Sequence, residues 1–238
     1  MPMSDDDLPG WYGKIASLGD FASRRLPAEF ISCWDAWLQR MLPDSRARLG
    51  DRWLERYLGS PIWRFLLFPG VCGESIWAGL IMPSVDRVGR YFPVTIASRL
   101  QALASTEREF DALADWLDRL AAAALATLDL RRSAQQFDAA LTTLRAPLPA
   151  PPRVVLAGRI AARLHDRSAG RFMLPSDDEL AQTLMGVGAG LLTEQARGSS
   201  LWWTPCATGA TTPLVLARGL PDGEQFAAML DAGGTRHA

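Results

Sequence analysis

The strongest restriction on the fold of this chain comes from IWAGLIM, residues 76–82, in which seven successive positions are apolar. A run of this length between turn residues is typical of a strand buried on both faces, so its sheet needs a cover on each side. IWRFLLF (62–68) and FPVTIAS (92–98) are further short apolar runs, bounded by turns that contain Gly or Pro, and they also predict strands. Helices on both faces of a sheet are therefore expected.

Two helices are predicted before these strands. PAEFISCWDAWLQRML (27–42) has apolar residues at helical spacing, and Pro27 suits a first turn. We expect Pro43 and Asp44 to end this helix and to start the next one, which runs over DSRARLGDRWLERYLG (44–59) and closes at its last glycine.

The clearest helical pattern follows the strands, over 106–128, and it begins with a capping-box pair, Thr106 and Glu109. Its predicted buried stripe is Phe110, Leu113, Leu117, Leu120, Ala124 and Leu128. A further helical segment is expected from about 133 to 145.

A proline-rich connector divides the chain, because RAPLPAPPR (145–153) has four prolines in six positions. We predict one globular unit made of an N-terminal half (8–145), a connector (146–152) and a C-terminal half (153–232) that packs on it.

The C-terminal half uses shorter elements. RVVLAGRIAARLHDR (153–167) fits a helix, although RVVLAG also fits a strand. SDDELAQTLM (176–185) has a capping box at Ser176 and Glu179, and PDGEQFAAML (221–230) is a closing helix with Asp222 as N-cap. SLWWT (200–204) and TPLVLARGL (212–220) are strand candidates.

Composition excludes several classes of function. The formal net charge of the 238 residues is −1, so no overall field attracts nucleic acid or an anionic membrane. The longest apolar run is far shorter than a membrane span, and the acidic start MPMSDDDLPG is not a secretory signal. Cys33, Cys72 and Cys206 are odd in number, with no CxxC, so we expect no disulfide framework and a reducing cytoplasm.

Enzymatic signatures fail at specific positions. GWYGKI lacks the first Gly and the Ser or Thr of a Walker A loop, GVGAGLL has Leu191 in place of the third dinucleotide-binding glycine, and GESIW has Trp77 in place of the Gly of a nucleophile elbow. His165 and His237 have no second ligand at metal-binding spacing. We therefore predict no catalytic residue, no metal and no cofactor. A carboxylate pair for acid–base catalysis stays open, since 26 Asp and Glu allow many pairs.

The turn PSVDRVGRYFPVT (83–95) raises the main functional question. Gly89 suits a tight connection, and Asp86 can pair with Arg87 or Arg90. One interpretation is a loop that its own ion pair stabilises. The other is a recognition site, because a surface ion pair adds only about 0–1 kcal/mol, whereas a guanidinium is a good planar donor to a partner.

Two other arginine-bearing segments stand out. SLGDFASRRLP (17–27) has Gly19 as a turn residue and Asp20 as the N-cap of a short helix that begins at Phe21, and it carries two adjacent arginines. Arg159, Arg163 and Arg167 recur every four residues and form a ridge opposite Val155, Ile160 and Leu164 if this segment is helical. A solvated face and a docking site for an acidic or phosphorylated partner are the two interpretations of that ridge.

The ordered set GKIASLGDF, RRLP, WDAWLQ, YLGSPIWRFLLFPG, PSVDRVGRYFPVT, SLWWT and GLP resembles TagF, also called ImpM, a type VI secretion-associated family of Gram-negative bacteria. The similarity is dense from Trp11 to about Leu100, sparse from 100 to 198, and resumes from SLWW to about Phe226. The resemblance implies an α/β fold with a mixed, largely antiparallel sheet and helices on both faces, a three-layer αβα sandwich.

The resemblance also implies a cytoplasmic accessory protein that is not an enzyme. It would act after translation as a negative regulator of apparatus assembly, through binding to the forkhead-associated scaffold protein. No nucleic acid and no membrane insertion are expected, and a homodimer is left open. The alternatives are a hydrolase or phosphatase-like enzyme with an unrecognised polar site and a structural subunit of the apparatus.

The residues that match the family motifs form our candidate partner-binding set, with the prediction that the GDF and PSVDRVGR loops lie close together. An aspartate of one loop, Asp20 or Asp86, would orient a partly accessible arginine. The set consists of Gly19, Asp20, Phe21, Ser84, Asp86, Arg87, Arg90, Trp202 and Trp203.

Overall fold

The structure is a computed structural model, and it describes residues 8–15, 21–86, 88–147, 151–174, 180–205 and 212–233. The strands are β1 (Gly10–Gly13), β2 (Ala22–Arg24), β3 (Trp63–Leu67), β4 (Ile76–Met82), β5 (Val94–Leu100), β6 (Ser199–Trp203) and β7 (Leu214–Arg218). The helices are α1 (Ala28–Leu49), α2 (Trp53–Gly59), α3 (Glu107–Leu125), α4 (Ala134–Leu141), α5 (Pro151–His165), α6 (Leu180–Gln195) and α7 (Gly223–Asp231).

The strands form one sheet in the order β2-β1-β5-β4-β3-β6-β7, and every neighbouring pair is antiparallel. β4 lies at the centre and is buried at all seven positions, as its unbroken apolar sequence predicts. The strands predicted at 62–68, 76–82 and 92–98 are confirmed as β3, β4 and β5. The predicted fold class, an α/β fold with an antiparallel sheet covered on both faces, is also confirmed.

The two faces of the sheet carry separate hydrophobic cores. On one face, α1, α2 and α7 supply aromatic side chains, among them Trp34, Trp37 and Phe226, which pack on Phe65 and Trp202 of the sheet. On the other face, α3 and α4 cover the alternate residues of the same strands with a mainly aliphatic surface. The central strands are therefore the middle layer of three.

α1 differs from its predicted bounds because it continues through Pro43 to Leu49. Pro43 removes one backbone hydrogen-bond donor from the helix. The turn that follows it packs closely on α7, because the Asp44 side chain leaves no space for a Cβ at Gly223. Ser45 Oγ donates to the Leu42 carbonyl at 2.9 Å. Tertiary packing thus outweighs the local cost of the proline.

α3 has the predicted capping box between Thr106 and Glu109. Two residues of the predicted buried stripe, Phe110 and Leu128, are instead exposed. Phe110 lies in the first turn of α3, and Leu128 lies in a 3-10 turn after its end, where the helical period no longer holds. Trp116, which the prediction omitted, is fully buried.

The C-terminal half contributes β6 and β7 to the same sheet and a helical hairpin, α5 and α6. The segment that fitted either a helix or a strand is helical, and its first turn uses the last two prolines of the connector. α7 has the predicted N-cap, Asp222, whereas the predicted cap at Ser176 and Glu179 lies outside the described residues. The division of the chain into two halves stays a prediction.

The arginine ridge is shorter than predicted. Arg159 and Arg163 are exposed on α5, but Arg167 lies beyond the helix with a φ of 53°. The face that α5 buries is also different, because Ala157 and Ala161 are buried while Val155 and Leu164 are exposed. Small residues therefore make the contact with α6.

The expectation that the cysteines form no disulfide is wrong, because Cys33 and Cys72 are disulfide-bonded. Cys33 lies on α1 and Cys72 in the connection from β3 to β4, and the packing of α1 on the sheet brings them together across 39 residues of sequence. Spacing alone does not reveal such a tertiary contact.

We expect one titratable thiol per denatured, unreduced chain, since the sequence has three cysteines. Cys33→Ser with Cys72→Ser should lower the free energy of unfolding by about 4 kcal/mol, the loop-entropy value for a closed loop of this length. A thiol assay counts the free cysteines, and urea denaturation measures the free energy of unfolding. Three reactive thiols in protein purified without reductant would contradict the bond.

Gly79→Ala should destabilise the fold by about 3 kcal/mol, because a Cβ on this residue would overlap the Ile96 carbonyl and the Phe65 ring. Gly158→Ala is the matched control, since a Cβ there meets no atom within 4 Å in α5. That control should stabilise by about 0.5–1 kcal/mol. Urea denaturation compares the two, and equal effects would contradict the close approach of the strands.

Candidate functional site

The candidate site is built on the turn between β4 and β5. Val85 pairs with Tyr91 as an antiparallel bridge, and the Phe92 amide donates to the Ser84 carbonyl at 3.2 Å. The tip closes with Gly89 at a φ of 79°, a conformation that favours glycine, as the sequence indicated. This ladder extends the β4–β5 hairpin past the end of the sheet.

Asp86 organises the turn from inside, and its carboxylate is completely buried. Oδ1 accepts hydrogen bonds from the amides of Val88 and Arg90, at 3.0 and 2.9 Å. Oδ2 accepts from Arg90 Nε at 2.7 Å and from Lys14 Nζ at 3.1 Å. Each oxygen thus has two donors, which satisfies a buried charge.

Burial alone would raise the pKa of Asp86, but the hydrogen bonds outweigh it. The donors from Arg90, Lys14 and Val88 together hold this pKa well below the usual range of a carboxyl group. Asp86 is therefore ionised at neutral pH. With no vacant acceptor position and a depressed pKa, it is a structural anion and a poor general base.

Lys14, at the end of β1, connects this turn to the segment that carries Phe21. Its ammonium is buried between the Asp86 carboxylate and the Phe21 ring, whose centroid lies 4.6 Å from Nζ. Phe21 also packs edge-to-face on Phe92, with centroids 4.6 Å apart. Phe21 of the GDF segment is thus linked to Asp86 of the PSVDRVGR segment through the Lys14 ammonium.

Tyr57 of α2 fixes the start of the turn. Its hydroxyl donates to the Ser84 carbonyl at 3.0 Å and accepts from the Ser84 amide at 3.2 Å. Burial raises the pKa of Tyr57, so the phenol stays protonated as this pair of bonds requires. The ring contacts Trp53, which is buried, and Tyr91, which is partly buried.

An open groove of about 520 Å³ lies where the turn faces the C-terminal part of α1. Trp53 and Tyr91 form its aromatic side, and Gly89 lies at its edge. Arg46 stacks on Trp53, with 4.4 Å from Cζ to the ring centroid, and the Arg90 side chain is 52% exposed beside it. This groove combines two positive groups with aromatic surface.

The structure accounts for part of the predicted partner-binding set. Gly19, Asp20 and Arg87 lie outside the described residues. Phe21 is 46% exposed and Arg90 is half exposed, so both lie at the surface. These two residues lie on opposite sides of the buried Asp86–Lys14 pair.

The remaining members of the set are less accessible. Ser84 and Asp86 are buried beneath the turn, and Trp202 is fully buried in the aromatic core. A partner-binding role for Trp202 stays a prediction. Trp203 is partly buried on the opposite face of the sheet, as the alternation of a strand requires. Ser84 and Asp86 position the turn that borders the groove, whereas Trp202 and Trp203 are not among its lining residues.

Two residues of the site were missed by sequence reasoning. Lys14 was considered only as a phosphate-loop residue, although a lysine within the apolar GWYGKI segment was a signal for a buried ion pair. No sequence pattern pointed to Arg46, because its position at the groove depends on the continuation of α1 past Pro43.

The adjacent arginines of the first motif have a structural explanation. Arg25 adopts a φ of 57° and binds Asp138 of α4 with two guanidinium nitrogens, at 2.7 and 3.0 Å. Trp11 Nε1 donates to the same carboxylate at 2.9 Å. Arg24 is exposed next to it. The expectation of a short helix from Phe21 is wrong, because Ala22–Arg24 form strand β2, which pairs with β1.

Two features are absent from the described residues. Within those parts of the chain, no group of His, Cys, Asp or Glu is arranged to hold a metal ion. Of the helices described, none combines the length and the apolar composition needed to cross a bilayer.

Asp86→Asn should lower the melting temperature at pH 7, because it removes a buried anion whose pKa is depressed by folding. The native carboxylate stabilises the fold above its unfolded pKa of about 3.9, and this contribution is lost as the pH falls below that value. The difference in melting temperature between wild type and variant should therefore decrease from pH 7 toward pH 3. Differential scanning calorimetry across this pH range measures the two melting temperatures. A difference that is independent of pH would contradict a stabilising, ionised Asp86.

Comparison with known proteins gives the family. Residues 10–144 match the family model described as the TagF N-terminal domain, type VI secretion system-associated. The crystal structure of PA0076 from Pseudomonas aeruginosa PAO1 is 33% identical, with a TM-score of 0.69 and coverage of 93% of each chain. No curated protein matched. The chain belongs to the TagF family of type VI secretion-associated proteins.

Proposed function

We propose that this protein restrains assembly of the type VI secretion apparatus, after translation, by binding a protein partner in the cytoplasm. The observation that carries the proposal is the groove in which the Arg46 and Arg90 guanidinium groups lie beside Trp53 and Tyr91. Arginine and aromatic side chains are the residues most enriched where binding energy concentrates in protein interfaces.

The groove is suited to docking because its cations are oriented before any partner arrives. Arg90 is bound through Nε to the buried Asp86, and Arg46 is held against the Trp53 ring. A preorganised guanidinium loses less side-chain entropy on binding than a freely rotating one. An acidic or phosphorylated segment of the partner matches this positive, aromatic-lined surface.

The partner in this proposal is the forkhead-associated scaffold protein of the apparatus. Support for that choice comes from the family resemblance, and the groove supplies the matching chemistry. The cytoplasmic location rests on the same resemblance, since the Cys33–Cys72 disulfide removes the cysteine-based reason for a reducing compartment.

Catalysis is not part of the proposal. A hydrolase site at this turn would need a carboxylate that can take up a proton, and Asp86 is saturated by four donors with a depressed pKa. The geometry of the turn therefore favours a docking role over acid–base chemistry.

Arg46→Glu should weaken binding to the purified scaffold protein by about tenfold or more, because it reverses a charge at the groove. Arg90→Met removes the second cation and leaves Asp86 with Lys14 and two amides. Arg108→Glu is the matched control, an exposed arginine in the first turn of α3 on the opposite face of the sheet. Calorimetric titration measures the affinities.

Melting temperatures separate a binding defect from misfolding. Arg46→Glu should melt within a few degrees of wild type, since the side chain lies at the surface. Unchanged affinity of both groove variants would contradict the proposed site, and no binding by wild type would contradict the partner. Loss of restraint on apparatus assembly in cells that carry Arg46→Glu would link the groove to regulation. Purification of the protein as a stoichiometric part of the assembled apparatus would instead identify a structural subunit.

A further inference from the structure

α6 is apolar to an extent unusual for a helix at a protein surface. From Leu180 to Thr193 its sequence, LAQTLMGVGAGLLT, has no charged residue. One side packs on α5, where a Cβ on Gly186 or Gly190 would meet the Ala157 or Ala161 methyl at 2.9 and 3.1 Å. Glycine is needed on that side because the two backbones approach closely.

The opposite side of α6 carries a second apolar stripe. Leu184, Met185 and Leu192 are 57%, 50% and 52% exposed. Gly188 lies between them and is also exposed, and a Cβ built on it meets no atom within 4 Å. No contact within the described chain accounts for this glycine or for its apolar neighbours.

We propose that this stripe is the interface of a homodimer, in which two copies of α6 cross antiparallel at Gly188. A large apolar face on a surface helix is expected to be covered by a partner. The inference depends on α6 alone and is independent of the function proposed for the groove.

The spacing of the stripe supports a second copy as the occupant. Leu184 and Leu192 lie four residues before and four residues after Gly188. A two-fold axis through Gly188 therefore places Leu184 against Leu192 of the partner subunit, and the reverse contact follows by symmetry. Ridges of residues four apart that interdigitate give a crossing angle of about −50°, the commonest geometry in globular proteins.

The absence of cations on α6 favours a second copy of the chain over a membrane as the partner of the stripe. Helices that lie in a bilayer interface carry Lys or Arg along their polar face, whereas α6 has no cation and its first charged residue is Glu194. An uncharged stripe can meet its own copy without like-charge repulsion. A single-helix contact is smaller than a standard interface of about 800 Å² per partner, so we expect a concentration-dependent dimer.

The test is sedimentation equilibrium of the full chain between about 1 and about 100 µM. Wild type should shift from monomer to dimer across this range. Leu184→Glu and Leu192→Arg should each raise the dimer dissociation constant about tenfold or more, because each buries a charge against leucine. Their combination should restore dimerisation, since each glutamate then faces an arginine of the partner subunit.

Leu164→Glu is the matched control, because this α5 residue is 54% exposed and lies outside the stripe. It should leave the dimer unchanged. Unchanged melting of the single variants at low concentration would show that the monomer still folds. If Leu192→Arg alone failed to fold, Gly188→Leu would block the close crossing instead.

Three results would overturn the proposal. One is a wild-type chain that is monomeric at the highest concentration. Another is a double variant that stays as weak as the single variants, since the antiparallel crossing requires rescue. The third is binding of monomeric wild type to anionic phospholipid vesicles that Leu184→Glu abolishes, which would identify a membrane-contacting face.

Discussion

Burial of β4 on both faces is the constraint on which the other layers depend. A strand with no polar position cannot face water, so each face of the sheet must be covered by helices. At Gly79 the strands approach so closely that no side chain fits beside Ile96. The covering helices then determine what lies at the sheet ends, including the turn that follows β4.

The buried charge of Asp86 is the second organising feature, and it is consistent with both interpretations of the turn. Its carboxylate stabilises the turn, as the structural interpretation held. Three of its four hydrogen-bond donors are Lys14 and the backbone amides of Val88 and Arg90. Arg90 donates to this carboxylate through Nε, and its side chain remains half exposed. The same ion pair therefore stabilises the loop and fixes the orientation of a surface cation.

Patterns within one element predicted most of the fold, and contacts between distant elements account for the failures at the disulfide and at the groove. The period of the strands, the capping box at Thr106 and the N-cap at Asp222 depend on neighbouring residues, and all are confirmed. The disulfide and the groove at Arg46 depend on how α1 packs on the sheet. For the same reason the sequence identified Asp86 but not its partner Lys14.

The position of β6 in the sheet has a consequence for synthesis of the chain. One edge of β3 pairs with β4, which is the next strand to be synthesised. The other edge pairs with β6, which is synthesised only after α3 to α6. A nascent chain that ends after α4 therefore has an open, apolar strand edge and lacks α7 over the aromatic core. An exposed apolar strand edge of this kind favours edge-to-edge aggregation until β6 has been synthesised.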